Sequence, residues 1–467
     1  MSEEMKALRE QLLRNDKNGY DTLDEAQSRE MEAYCTDYKA FLNAGKTERL
    51  SARAAIAAAE ERGFVQYKRG MALKAGDKVY TCNRGKGLML AVIGKESLAE
   101  GAQIAAAHID SPRLDLKPTP LYEDSEMAYF KTHYYGGIRK YQWVTIPLQL
   151  RGVVAKKDGS VVDVCIGEGG DEGDPKLVIT DLLPHLGGEQ GRKPLNEAVP
   201  GETLNLLVGS RPIGDSEDKD RVKLHVMKRL HDKYGITESD FASAELEAVP
   251  AAEAVDIGID GSMIGSYGHD DRVCGYAALR ALLDIETPDK TAVCVLADKE
   301  EIGSMGVTGM QSAAFDAFMS DLCDGQNVPL KACFENAFCL SADVTAAYDP
   351  NFADVYEKKN AAFVNYGVGI CKYTGARGKS GSSDANAETV AYVRAVLDSA
   401  GVRWQICELG KIDAGGGGTV AQYMANRNIA TLDAGVPVLS MHAPFEVVAK
   451  VDCYEMYRAC KALYEAR

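Results

Sequence analysis

Near the start of the chain apolar residues recur three and four positions apart, from Ala7 through Leu13, again from Met31 to Phe41, and along the Ala-rich LSARAAIAAAEERG that ends at Gly63. That spacing puts them on one face of a helix, so these segments predict a helical N-terminal layer. From Val79 the apolar positions gather into short runs, YTCN, LMLAVIG and AQIAAAHID, broken by Gly- and Lys-rich turns. Such runs suit buried strands.

The texture changes between roughly Thr119 and Glu253. There YQWVTIPLQLRGVVAKKDGSVVDVCIG reads as strands around the turn Asp158-Gly159, EGGDEGDPK (Glu168 to Lys176) as an acidic loop unsuited to phosphate, and SEDKDRVKLHVMKRLHDKYG as one exposed helix. After Asp256 strand and helix signals alternate: DDRVCGYAALRALLDI, KTAVCVLAD, a helix around MQSAAFDAFMSDL, FCLSADV, ETVAYVRAVLDSAG, VRWQICELG and ATLDAGVPVLSMH. In the fifth of these, Val390, Val393, Val396 and Leu397 fall at helical spacing. Alternation of this kind predicts an α/β fold, a mainly parallel mixed sheet sandwiched by helices. The economical arrangement is one α/β domain, residues 1–118 and 254–467, interrupted by a β-rich insert, residues 119–253.

Composition narrows the function classes. With 467 residues, 46% hydrophobic and 26% charged, the chain can bury a large core. The start, MSEEMKALREQLLRND, lacks the apolar core of a signal peptide and the Arg-rich pattern of a transit peptide, and no stretch reaches the apolar length of a membrane helix. A cytoplasmic setting with no membrane partner is expected. The formal charge of −16 argues against a nucleic-acid partner, which needs clustered Lys and Arg. Twelve cysteines, several inside apolar runs as Cys294 is, and no C-x-x-C pair, point to buried reduced thiols and not to a thiolate metal site.

Only seven histidines are present, so their contexts carry information. His108 ends an apolar run two residues before Asp110, and on an extended segment the two side chains point the same way, as for an imidazole held by a carboxylate. His442 and Asp343 also follow apolar runs, and Asp270 and Asp271 open a helix. Each of these alone reads more readily as a strand-end residue or a helix cap than as a ligand. The stretch KTAVCVLADKEEIGSMGVTGMQS is harder to explain that way, because a buried strand runs directly into Asp298, Glu300 and Glu301. At the C-terminal edge of a sheet a divalent cation relieves such repulsion. All these residues lie at strand ends or helix starts of one sheet, so they can converge on two cations bound through nitrogen and oxygen.

The segments AAHIDSPRLDLKP, GHDDRVCGYAAL, ADKEEIGSMGVTGMQS, LSADVTAAYDPNF and LSMHAP, in that order, resemble the aspartyl aminopeptidase and aminopeptidase I group of zinc metallopeptidases over nearly the whole chain. The resemblance implies that His108 and Asp343 bind one metal, that Glu301 and His442 bind the other, and that Asp270, the first acid of its pair, bridges them. Glu300 would be the general base and Asp110 the partner that holds His108. The metals would be two divalent ions, zinc foremost, with cobalt or manganese equally served by such ligands. Lys372, in GVGICKYTG, matches a lysine that faces acidic substrate side chains, and His185, in LLPHLGG, resembles one that reaches a neighbouring subunit's site. The partners implied are peptides with a free N-terminus and further copies of the chain, as a tetrahedral dodecamer built partly through the insert.

The chain departs from the family pattern at Ala346, where a histidine is usual, so the preferred N-terminal residue, acidic through Lys372 or neutral, stays open. A deacylase or carboxypeptidase on a related two-metal fold is the alternative chemistry, and a non-catalytic assembly protein the alternative class. GKS at Gly378 to Ser380 lacks the glycine of a P-loop at Tyr373, and Gly415 to Gly418 reads as close backbone approach to the site.

Overall fold

The protein, described here as a computed structural model, has its residues 2–14, 16–168 and 174–467 placed. The acidic loop expected at Glu168 to Lys176 therefore lies mostly outside the described residues.

Nine strands form the main sheet, in the order Val65–Gln66, Lys78–Asn83, Gly87–Val92, Thr291–Ala297, Ala102–His108, Phe338–Ala342, Ala430–Gly435, Val368–Cys371 and Trp404–Ile406. The four from Thr291–Ala297 to Ala430–Gly435 run parallel, and antiparallel neighbours flank them on both sides. Thr291–Ala297 shows why these runs lack alternation. Its Ala292, Cys294 and Leu296 enter the core on one face while Val293, Val295 and Ala297 enter the core on the other. The first face is covered by helices Glu25–Ala44, Glu48–Glu61, His269–Leu283, Ala387–Ser399 and Lys450–Tyr464, and the second by Ala314–Asp324, Leu330–Asn336 and Ala421–Ala425. His269–Leu283 is buried on nearly every side, Arg280 excepted, which accounts for its apolar character all round. The expected stripe on Ala387–Ser399 is present, with Val393 and Leu397 fully buried.

A second, antiparallel sheet of six strands takes residues Arg113–Asp124, Met127–Tyr135, Leu148–Ala155, Val161–Ile166, Leu206–Gly209 and Ala244–Pro250, with helix Arg221–Tyr234 against its core. Its strand Arg113–Asp124 starts soon after Ala102–His108 ends, so the sheet begins ahead of position 119. The helix is shorter than the charged run suggested, beginning at Arg221. It is not wholly exposed: Val222 and Leu230 are buried, and Val226 between them packs on the same core.

Two further differences have local causes. Helix Glu3–Leu12 forms but buries no residue, so it lies outside the N-terminal layer. The run ATLDAGVPVLSMH is not one strand. It divides at Val436, with Ala430–Gly435 in the main sheet and Pro437–Leu439 in a third, five-stranded sheet with Val255–Ile257, Met263–Ser266, Glu446–Ala449 and Thr345–Ala346. Pro437 has no N–H to continue the central ladder. Gly435 also presses its backbone onto the Asp343 carbonyl oxygen, 1.6 Å from where a Cβ would stand, so no other residue fits there. Among the described residues no helix is long and apolar enough to cross a membrane.

Candidate metal centre

Parallel strands of the main sheet deliver the chemistry at their C-terminal ends, where open α/β sheets hold ligands. His108 is the last residue of its strand and pairs in register with Ala297 on the next. Asp343 directly follows Phe338–Ala342. After Ala297 the chain turns through Lys299 at φ 69°, makes a single 3-10 turn over Glu300–Ile302, and leaves through Gly303 at φ 94°. That turn lets two adjacent glutamates serve one site, which an extended strand, facing neighbours oppositely, does not allow. Asp270 (φ −80°, ψ 106°) and Asp271 (φ −118°, ψ 32°) stand at the entry to His269–Leu283 with non-helical dihedrals.

Asp270 is the centre of the cluster. Its Oδ1 lies 3.2 Å from His108 Nε2 and its Oδ2 lies 3.2 Å from His442 Nε2. Asp343 Oδ1 is 3.7 Å from His108 Nε2, Glu300 Oε2 is 4.0 Å from the same nitrogen, and Glu301 Oε2 is 3.5 Å from His442 Nε2. His108, Asp110 and Asp271 are at most 1% exposed. Both Asp271 carboxylate oxygens and Glu301 Oε1 are buried without a hydrogen-bond partner among the described residues.

So many carboxylates in one buried place oppose one another's ionisation. Burial pushes Glu300 up to about 8 and holds Glu301 and Asp343 above the ordinary carboxylate range, with neighbouring acids adding to the effect. Burial would also raise Asp270, but His108 and His442 pull it below that range. The imidazoles answer in the opposite sense. Burial works against their charge, yet the carboxylates around them carry His442 to about 10 and His108 well above its usual value.

This donor set fits divalent cations. Ligand atoms of His108, Asp271 and Asp343 lie within 4.8 Å of one another, and so do those of His108, Asp270 and Glu301. Imidazole nitrogens with carboxylate oxygens, some of them lacking any other partner, are what a borderline cation binds, and its charge offsets the repulsion.

A supporting layer orients these side chains. The Asp110 carboxylate stands 3.3 Å from His108 Nδ1 and also accepts the main-chain N–H of Glu300 at 3.1 Å and of Glu301 at 3.2 Å. Tyr135 donates its hydroxyl to Asp110 at 2.8 Å. His442, in left-handed backbone at φ 65°, donates its N–H to Glu446 at 2.7 Å, and its Nδ1 meets the Gly137 carbonyl at 2.8 Å. Glu446 also takes the Asp270 N–H at 3.0 Å. Sequence reading missed Tyr135, Gly137 and Glu446, and it passed over Asp271 in favour of Asp270, although Asp271 lies within ligand reach of His108 and Asp343. Glu446 stands four residues after His442, the one signal that could have found it.

A cavity of about 350 Å³ opens over the cluster. Its remaining wall is neutral: Thr345, Cys371, Thr374, Leu409 and Met441, with the bare backbone of Gly416, Gly417 and Gly418. Lys372 does not line it. Its ammonium is turned to Asp384 at 2.8 Å. His185 lies on an exposed segment, with Leu182, Leu183 and Leu186 exposed around it, and is not brought to the cavity of its own chain.

Residues 41–464 match the family model for aminopeptidase I zinc metalloproteases (M18). The chain is 48% identical over 452 residues to the probable M18 family aminopeptidase 1 of Clostridium acetobutylicum, covering 95% of this chain and 97% of that protein. Its structure resembles the crystal structure of the M18 aminopeptidase from Thermotoga maritima, with a TM-score of 0.92 at 42% identity over 97% of this chain and 99% of that one. At 20% identity and a TM-score of 0.74, covering 94% of this chain and 99% of that one, the mApe1 dodecamer of S. cerevisiae shares the fold.

Proposed function

The chain belongs to the M18 family of zinc metallo-aminopeptidases, and from that premise we propose that its cluster holds two divalent cations and removes a neutral N-terminal residue from peptides. The observation that carries the two-cation reading is Asp270, whose two oxygens each lie 3.2 Å from a different histidine Nε2. On this reading Asp270 bridges, His108 and Asp343 complete one site, and Glu301 and His442 complete the other. Zinc fits this nitrogen and oxygen set, as do cobalt and manganese. Bound there, such cations polarise the scissile carbonyl and acidify a water.

The chain's own residues supply the rest. Glu300, beside His108 but outside both sets, takes the proton of the attacking water and delivers one to the leaving amine. Asp110 keeps His108 aimed through Nδ1 and fixes the turn that separates Glu300 from Glu301. Membership of an aminopeptidase family favours substrates with a free N-terminus over the N-acyl group or free carboxylate that a deacylase or carboxypeptidase would need.

The neutral preference rests on the cavity wall, which among the described residues carries no cation beyond the histidines, and on the pairing of Lys372 with Asp384. Ala346 in place of the usual histidine fits the same reading. Zinc-loaded protein given a panel of aminoacyl substrates should release Leu or Ala at least tenfold faster than Asp or Glu. Faster release of Asp or Glu would reject the neutral preference, and no release from any free N-terminus would reject the activity.

The setting proposed is cytoplasmic. We also infer that residues 119–253 act as an insert through which copies associate. The exposed leucines around His185, and the dodecamer formed by the yeast relative, support a homo-oligomer in which His185 reaches a neighbouring cavity. A tetrahedral dodecamer is expected, and light scattering giving a stable monomer would remove this part of the reading.

A further inference from the structure

Cys371 ends the strand Val368–Cys371, and Cys407 directly follows the parallel strand Trp404–Ile406. The register pairs Val368 with Trp404 and Ile370 with Ile406, so the two cysteines stand next in line, side by side. Their sulfurs are 3.2 Å apart. Both thiols also lie near Thr345 Oγ1, at 3.8 Å and 3.6 Å. Gly369 makes room for this arrangement, since a Cβ there would stand 2.8 Å from Cys407 Sγ and 2.9 Å from Thr345 Cγ2. With Ala362 the two cysteines form a small apolar cluster of their own, apart from the main cores. Cys371 faces the cavity over the metal centre, while Cys407 sits behind it, 1% exposed.

We propose that Cys371 and Cys407 are a redox modification site, a dithiol that a small hydroperoxide entering the cavity converts to a disulfide. The Cys371 sulfur attacks one peroxide oxygen, the O–O bond breaks, and water (or the alcohol of an organic peroxide) leaves, giving a sulfenic acid. The Cys407 thiol then displaces its hydroxyl as a second water and the S–S bond forms. The two sulfurs together give up two electrons and the peroxide takes both. Neighbouring parallel strands already hold these residues at a spacing that a disulfide spans, so the backbone need move little. The Cys407 sulfur and burial hold the Cys371 thiol in its protonated form, so the attack is slow and the site answers sustained exposure rather than brief contact.

The consequence for the reaction rests on the aminopeptidase reading above. The segments that continue from these strands, carrying Thr374 on one side and Leu409 with Gly416 to Gly418 on the other, form one wall of the cavity. They are already joined by the Gly375 N–H on the Gly417 carbonyl at 2.6 Å. A disulfide ties their roots together and withdraws both thiols from Thr345, which stands two residues beyond Asp343. Substrate fit changes while Glu300 and the metal ligands stay in place, so the effect falls on KM more than on kcat.

Zinc-loaded protein treated with hydrogen peroxide, alkylated and digested should yield a cross-linked peptide joining Cys371 to Cys407, lost again after a dithiol reductant. KM for a neutral aminoacyl substrate should rise at least about threefold and return on reduction. Cys407→Ser should keep the reduced enzyme's activity and lose the reversible response. Finding both cysteines still alkylated after peroxide has oxidised exposed methionines, or Cys371 carried to sulfinic acid without the bond, would overturn the site. The cross-link without a change in KM would overturn its effect on the cavity. Peptide mapping is independent of turnover, so an inactive but cross-linked protein would count against the aminopeptidase reading alone.

Discussion

Asp110 accepts the main-chain N–H of Glu301 at 3.2 Å with the carboxylate that also stands beside His108. One buried residue thus meets the imidazole through its main-chain carbonyl, 3.0 Å from Nδ1, as well as its carboxylate, and the same carboxylate fixes the path of the glutamate turn on the neighbouring strand. Asp110→Ala should lower metal affinity about 10- to 100-fold, the range for lost outer partners of ligating histidines, and should also slow turnover at saturating metal. Asp110→Asn keeps an acceptor for one N–H and should lose less of both. Titration calorimetry with zinc and kcat at full loading separate the two effects, and loss of affinity alone would mean that the turn holds without Asp110.

Glu300 and Glu301 are neighbours with different duties on the reading above. Glu300→Gln should bind two equivalents of zinc and reduce kcat by at least about 10³-fold, with the fold intact. Glu301→Ala should instead weaken one equivalent. Equal loss of metal in both variants, measured by elemental analysis after dialysis, would sink this division of labour.

Removing the cations should loosen the centre, because Asp270, Glu301 and Asp343 then share a buried volume with only His108 and His442 to balance them. Chelator-treated protein should melt several degrees lower than the zinc-loaded form, with the gap widening as free zinc rises above its Kd. Asp270→Asn should erase most of that response. An unchanged melting temperature across zinc concentrations would show that the cluster does not need the ions for stability.

Away from the centre, Lys46 is 3% exposed, with its ammonium on the Ala252 carbonyl at 2.5 Å. Burial, with Arg272 nearby, lowers it from the usual 10.5 to about 8. Between those values the unfolded chain binds the proton that the folded chain has released, so the stability of the wild type rises with pH there. The charged-state cost is fully present below about 8 and gone above 10.5. Relative to Lys46→Met, the wild type should therefore gain up to about 3 kcal/mol between pH 8 and 10.5. Urea unfolding of both proteins across that range gives the difference, and a flat difference would place the lysine in a solvated state.

The convergence of His108, Asp270, Glu300, Glu301, Asp343 and His442 was legible because each ends a buried strand or opens a helix, and parallel strands bring such ends together. The alternating strand and helix signals after Asp256 carried the main sheet for the same reason. What was not legible depends on contacts between backbone and distant side chains. Gly137 acts only through its carbonyl, and Asp110 through the N–H groups of residues 190 and 191 positions away. Neither leaves a residue-type signature. The pairing of Lys372 with Asp384 needs a loop path that no periodicity encodes. The division of ATLDAGVPVLSMH between two sheets turns on how closely Gly435 approaches Asp343, which is a tertiary fact.

The hydrogen bond from His442 to the Gly137 carbonyl has a mechanical meaning. Gly137 stands two residues past the strand Met127–Tyr135 of the six-stranded sheet, whereas His442 lies between the strands Pro437–Leu439 and Glu446–Ala449 of the five-stranded one. The ring therefore points where two independently built cores agree it should. A substitution in the core of the six-stranded sheet that displaced Gly137 would thus take away the ring's partner without touching any residue of the cluster.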